Sequence, residues 1–102
     1  MLPTHRKTTH PGEMLAKEFL KPYGLSQYRL AQILDVPEMR ISRLVRGINP
    51  MTPDMAQRLE ALFGVSAEFW MNLQIAHDLS GHRLPKKTVT KIARHHGELV
   101  AA

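Results

Sequence analysis

The sequence predicts an all-α fold: a compact five-helix bundle with a central helix-turn-helix, flanked by basic N- and C-terminal arms. Three observations carry this. Gly and Pro cut the chain into short pieces, and within each piece the apolar residues recur at spacings of three and four with no sustained period-two alternation. Residues able to cap a helix stand before most of these pieces. At 102 residues and 43% hydrophobic content there is enough for one small core and no second domain.

Residues 1–10 read as a basic arm. The first helix follows Pro11-Gly12, turns Met14, Leu15 and Phe19 inward, and is expected to stop at Pro22, whose ring cannot continue a helix and disfavours helical geometry at Lys21. Tyr23-Gly24 is the turn. Ser26 caps the second helix, Gln27 to Leu34, which offers Leu30, Ala31 and Leu34 to the core. Asp35-Val36-Pro37 breaks it. The third helix runs from about Glu38 to Arg46 with Ile41, Leu44 and Val45 inward, and Gly47 supplies the left-handed residue that ends it.

Thr52-Pro53-Asp54 starts the fourth helix with a hydroxyl cap, a proline at the first helical position and a carboxylate at the positive end of the dipole. Met55, Leu59, Leu62 and Phe63 follow. Ser66 and Glu68 open the fifth helix, which runs through Phe69, Trp70, Leu73 and Ala76 towards Ser80-Gly81. Residues 11–80 thus form the helical domain. Residues 81–102 are a basic tail in which Val89, Ile92 and Ala93 stripe one short helix.

The formal charge is +5, and it is segregated. Residues 1–47 carry eight Lys/Arg and four Asp/Glu, residues 48–80 one and four, and residues 81–102 five and one. This points to a basic working face in the first half, an acidic middle and a basic tail, and makes an acidic partner such as nucleic acid plausible. Without cysteine, disulfide frameworks, thiolate zinc sites and cysteine nucleophiles are excluded. The apolar run Ala61 to Val65 is far shorter than the about 18 residues a membrane span needs, and no secretory signal pattern opens the chain. A cytoplasmic protein that does not engage membranes is expected.

The set Leu30, Ala31, Leu34, Val36, Ile41 and Leu44 has the spacing that closes a helix-turn-helix core, with Ala31 small because the two helices must approach there. The turn position that is usually Gly is Asp35, which tolerates left-handed geometry better than most residues. With Ile41 inward, Met39, Arg43 and Arg46 lie on the opposite face, Ser42 beside them, and Glu38 and Arg40 on the flanks. This is the face double-stranded DNA would meet. Arg43 suits guanine, Met39 a thymine methyl, Glu38 a cytosine amine, Ser42 bases or phosphate, and Arg46 phosphate. Gln27 and Ser26, at the start of the preceding helix, can reach a backbone phosphate.

The stretch from His10 to Leu79 resembles the antitoxins of HigA type, a VapI-like branch of the Xre/Cro-like helix-turn-helix family. The residues that carry the resemblance are His10-Pro11-Gly12-Glu13, Gly24-Leu25-Ser26-Gln27-Tyr28-Arg29-Leu30-Ala31, Arg40-Ile41 and Val45-Arg46-Gly47. The most discriminating string is Ser66-Ala67-Glu68-Phe69-Trp70 followed by Asn72-Leu73-Gln74. The resemblance implies a lambda-repressor-like DNA-binding domain that binds its own operator as a homodimer to repress transcription. It also implies neutralisation of a small basic toxin, a RelE-like mRNA endonuclease, as in HigB/HigA systems. Such proteins often have Asn-Glu after the Arg-Ile pair, where this chain has Ser42-Arg43, so the operator sequence does not carry over.

On the fifth helix Phe69, Leu73 and Ala76 form one stripe and Met71, Ile75 and Leu79 a second. A helix apolar on two sides needs a second partner, which is either a two-fold related copy meeting Met71, Ile75 and Leu79 or the C-terminal tail folded over them through Val89 and Ile92. Trp70 is expected as a core anchor whose ring N–H reaches a carbonyl. Asn72 and Gln74 are placed to hydrogen-bond between helices or across the interface.

No histidine pair has the i, i+4 spacing of a helical zinc site, His77 and His82 being five apart and His95-His96 adjacent, so no metal is expected. Nor is there a phosphate-binding Gly-rich loop or a nucleophile elbow, and a bundle this small has little room for a small-molecule substrate. A non-enzymatic protein without cofactors is expected. A stand-alone transcriptional regulator without a toxin, and a toxin-masking module that does not bind DNA, stay open as alternatives. For a basic toxin, Asp54, Glu60, Glu68 and Asp78 offer an acidic docking surface.

Overall fold

The computed structural model, which describes residues 9–82, 84, 85, 88 and 89, begins on a histidine cap. The Nδ1 of His10 accepts a hydrogen bond from the Gly12 N–H at 2.9 Å, satisfying one of the free donors at the start of α1 (Pro11–Leu15). Glu13 sits in this first turn, where the helix dipole favours a carboxylate, and pairs with Lys17 one turn on. Gly12 faces α4 (Glu38–Val45) so closely that a Cβ there would lie 1.7 Å from the Leu44 carbonyl oxygen. Only a glycine allows the two backbones to meet this way.

Pro22 does not end the first rod. The chain winds as a π-helical turn over Ala16–Leu20, with the Lys21 N–H reaching back to the Ala16 oxygen, and resumes as α2 (Lys21–Tyr23). A proline removes one helical N–H and crowds the carbonyl four residues back, and the wider coil ahead of it relieves that conflict. The rod closes instead at Gly24, in left-handed geometry with φ 63°. Leu20, the last residue of the π-helical turn, joins the core, a residue that spacing alone does not single out.

The next boundaries follow the sequence. The Ser26 hydroxyl accepts from the Arg29 N–H and opens α3 (Gln27–Leu34). Asp35 closes it at φ 57°, the one non-glycine residue with positive φ among those described. Thr52 and Ser66 accept from the Met55 and Phe69 N–H groups at the starts of α5 (Pro53–Phe63) and α6 (Ala67–Ser80). No strand occurs among the described residues. The arms fall almost entirely outside them, including the helix expected around Ile92 and Ala93.

The five rods close on a core of Leu15, Leu20, Leu30, Ala31, Leu34, Ile41, Leu44, Met51, Met55, Ala56, Leu59 and Trp70. Each fully buried side chain of Leu or Ile size contributes about 1.5–3 kcal/mol relative to exposure. Phe19, Phe63 and Phe69 ring the Trp70 end, with Phe19 and Phe69 centroids 5.1 and 5.3 Å from the indole.

The fifth rod, α6, departs from the expected two-stripe pattern. Its innermost line is Trp70 and Gln74, flanked on both sides by half-buried Phe69, Met71 and Leu73. Met71 therefore packs against its own core, whereas Ile75 and Leu79 are 53% and 68% exposed. Val89 of the tail is itself exposed, and Ile92 lies outside the described residues. The reason is polar: Gln74 Oε1 accepts from the buried Met51 N–H at 2.7 Å while its Nε2 donates to Asp78 Oδ1, so this amide turns inward and rotates the apolar residues around it. That hydrogen bond ties α6 to the loop leaving α4. The Trp70 ring N–H, expected on a carbonyl, is buried without a hydrogen-bond partner among the described residues.

Candidate nucleic-acid interface

Helix α4 is short, strongly two-sided and presented at the surface. Ile41 and Leu44 are buried, and α3 and α1 pack on that side. Pro37 sets its extended entry, and Glu38 occupies the first turn. Outward lie Glu38, Met39, Arg43 and Arg46, all exposed, with Met39 at 65%, and Ser42 half-buried at their edge. Arg43 and Arg46 form no ion pair among the described residues. Gln27, half-buried, heads α3, and the Ser26 hydroxyl is already engaged as its cap.

The turn between α3 and α4 is held by the Asp35 N–H to Gln32 O and Val36 N–H to Ala31 O hydrogen bonds, at 3.2 and 3.0 Å. Ala31 is buried where the helices converge. At the other end, the Ile48 and Asn49 N–H groups both reach the Arg43 carbonyl, and Gly47 takes φ 75° to permit it. Both turns that flank α4 are therefore closed by backbone hydrogen bonds.

Arg40 has a different setting from the other arginines of α4. Its Nη2 donates to Asp54 Oδ2 at 2.8 Å and more distantly to the Thr52 hydroxyl. The same Asp54 oxygen accepts from Arg58 Nε at 3.0 Å, and Arg58 Nη1 donates to the Leu34 carbonyl at 2.6 Å. Hydrogen bonds from Arg40 and then Arg58 hold the Asp54 carboxyl below the usual carboxylate range. The i, i+4 spacing of Asp54 and Arg58 is visible in the sequence. Their joint reach to Arg40 and Leu34 depends on where the packing of α5 against α3 places its first turns, which no local spacing encodes.

Asp54, Glu60, Glu68 and Asp78 are all exposed, with Asp54 paired to Arg40 and Arg58 and Asp78 accepting from Gln74. Among the described residues no group of three or more His, Asp or Glu side chains could hold a metal ion, and no helix is long and apolar enough to cross a membrane. His10 and His77 meet edge to face, with centroids 4.9 Å apart. Burial, and next the neighbouring His77, push His10 below the ordinary imidazole value.

A family profile described as Helix-turn-helix matches residues 17–70. The chain is 43% identical over 83 residues to virulence-associated protein I of Dichelobacter nodosus, covering 81% of this chain and 77% of that protein. It is 39% identical over 79 residues to antitoxin HigA-1 of Vibrio cholerae, covering 78% and 74%. Among solved structures, the Pseudomonas aeruginosa antitoxin HigA with the higBA promoter superposes with a TM-score of 0.71 at 40% identity, over 74% of this chain and 82% of that one.

Proposed function

The chain belongs to the helix-turn-helix family, and from that premise we propose that it is an antitoxin of a toxin–antitoxin pair that binds its own operator DNA and represses transcription. The observation that carries this reading is the exposed face of α4. Met39, Arg43 and Arg46 project from a helix whose other side is locked into the core, in a fold that superposes on an antitoxin solved with its promoter. Glu38, Ser42 and Arg40 line its margins, and Ser26 and Gln27 head the helix that would lie across the backbone. Arg43 is assigned to a base edge and Arg46 to phosphate.

The working unit in this reading is a homodimer. Two copies meeting through Ile75 and Leu79, with Met71 beneath them, give each exposed apolar pair a partner. They also set two α4 helices about 34 Å apart, one turn of DNA. The toxin partner is read as a small basic RelE-like endonuclease, for which exposed Glu60 and Glu68 supply complementary charge. RNA cleavage belongs to that partner.

The test is a gel shift with DNA upstream of the gene. Arg43→Ala with Arg46→Ala abolishes the preference for that DNA and lowers the salt slope by about one for each phosphate that the protein no longer neutralises. Unchanged binding sinks the assignment of the α4 face. Co-expression with the adjacent open reading frame reads the toxin, and failure to recover a complex leaves a stand-alone regulator.

A further inference from the structure

Asp54 sits beside the basic face yet makes two charged hydrogen bonds that a surface carboxylate does not need. Its Oδ2 accepts from Arg40 on α4 and from Arg58 on α5, and Arg58 in turn donates to the carbonyl of Leu34, the last residue of α3. The Asp54 oxygen thus joins α4 to α5, and the Arg58 that it holds joins α5 to α3. We propose that Asp54, with Arg58, is a positioning residue for operator recognition: it fixes the angle of α4 by holding Arg40, without itself touching DNA. This rests on the operator-binding reading above.

The physical case is one of competing signs. An anionic side chain next to a phosphate-facing surface opposes DNA binding, so on charge alone its removal would strengthen binding to any duplex. An isolated surface pair contributes little to stability, whereas here one carboxylate oxygen joins two arginines, one of them tied to a main-chain carbonyl, in a network that holds its members in place. The geometry supplies the reason for keeping it. Arg40 is a long side chain near the start of α4, and without Asp54 its guanidinium has, among the described residues, only the distant Thr52 hydroxyl. Arg58 would then sit close to it with no shared anion. Base recognition by Met39 and Arg43, about one turn apart on the same helix, depends on how α4 enters the groove.

The experiment compares Asp54→Asn, Asp54→Glu and Arg58→Lys with wild type on the upstream duplex and on a scrambled duplex of equal length, with melting curves for each. Asp54→Asn is expected to bind the upstream duplex about tenfold more weakly, with the scrambled duplex bound equally or more tightly and the salt slope unchanged. Asp54→Glu, which keeps the carboxylate, recovers most of that affinity. Arg58→Lys, which keeps the charge but not the forked donor, shifts the same ratio less. Asp54→Asn binding the upstream duplex as tightly as wild type, or weakening on both duplexes in parallel, overturns the positioning role while leaving operator binding intact. Wild type showing no preference between the duplexes overturns the operator reading and this assignment with it.

Discussion

The helix-turn-helix and the last helix α6 solve the same problem, burying one side of a short helix, in opposite ways. In α3 and α4 the inward positions are apolar or small, namely Leu30, Ala31, Leu34, Ile41 and Leu44, and everything opposite is polar or exposed. In α6 the inward line is Trp70 followed by an amide, Gln74, and two branched apolar residues face out. Where hydrophobicity alone decides, periodicity along the chain suffices to orient a helix. Where a buried backbone N–H must be matched, the partner's position decides, and Met51 lies 23 residues away.

Four measurements probe that contrast. The largest effect is expected where α1 meets α4: Gly12→Ala drives a methyl into the Leu44 carbonyl and costs about 3 kcal/mol in denaturant unfolding. A cost under about 1 kcal/mol would mean the two backbones separate freely. Next, Gln74→Leu leaves the buried Met51 N–H without an acceptor and costs about 2 kcal/mol despite adding apolar surface. If Gln74→Leu stabilises the fold, α6 is oriented by hydrophobicity after all.

A smaller effect of opposite sign is expected in the helix-turn-helix. Asp35→Gly removes a left-handed non-glycine residue and raises stability by about 0.5–1 kcal/mol, read as a higher melting temperature. The last prediction concerns the contact of the first helix with α6, where His10 caps α1 and touches His77. Its folded pKa lies below 6.5, so the folded state disfavours the proton. The cap's contribution is complete above pH 6.5 and disappears as the pH falls through the lowered folded value. His10→Asn, which keeps a side-chain acceptor, should flatten this part of the stability profile, and an unchanged profile would assign the acid sensitivity elsewhere.

Much of the candidate site is legible in the sequence because its determinants are local. Ser26 and Thr52 cap the helices that follow them, and Asp35 adopts the left-handed turn in place of glycine. The exceptions have physical causes. Pro22 reads as a helix terminator because the penalty for proline assumes α geometry; a π-helical turn ahead of it carries the rod on to Gly24. Spacing groups Met71 with Ile75 and Leu79, yet the inward turn of Gln74 brings it against the core. Spacing places Arg40 on the flank of the DNA face, and only packing supplies the carboxylate 14 residues on to which it donates.

Local sequence is enough to specify the helices from α3 to α6, most of their caps, the buried side of α3 and α4 and the exposure of Met39, Arg43 and Arg46. Each of these depends on residues within a turn or two of one another, and side-chain chemistry at that range is written in the spacing. Tertiary packing is needed for the rotation of α6, the close approach of Gly12 to α4 and the joining of Arg40, Asp54, Arg58 and Leu34. Those depend on which atoms of distant segments come within hydrogen-bonding or van der Waals distance, and that follows from how the rods pack.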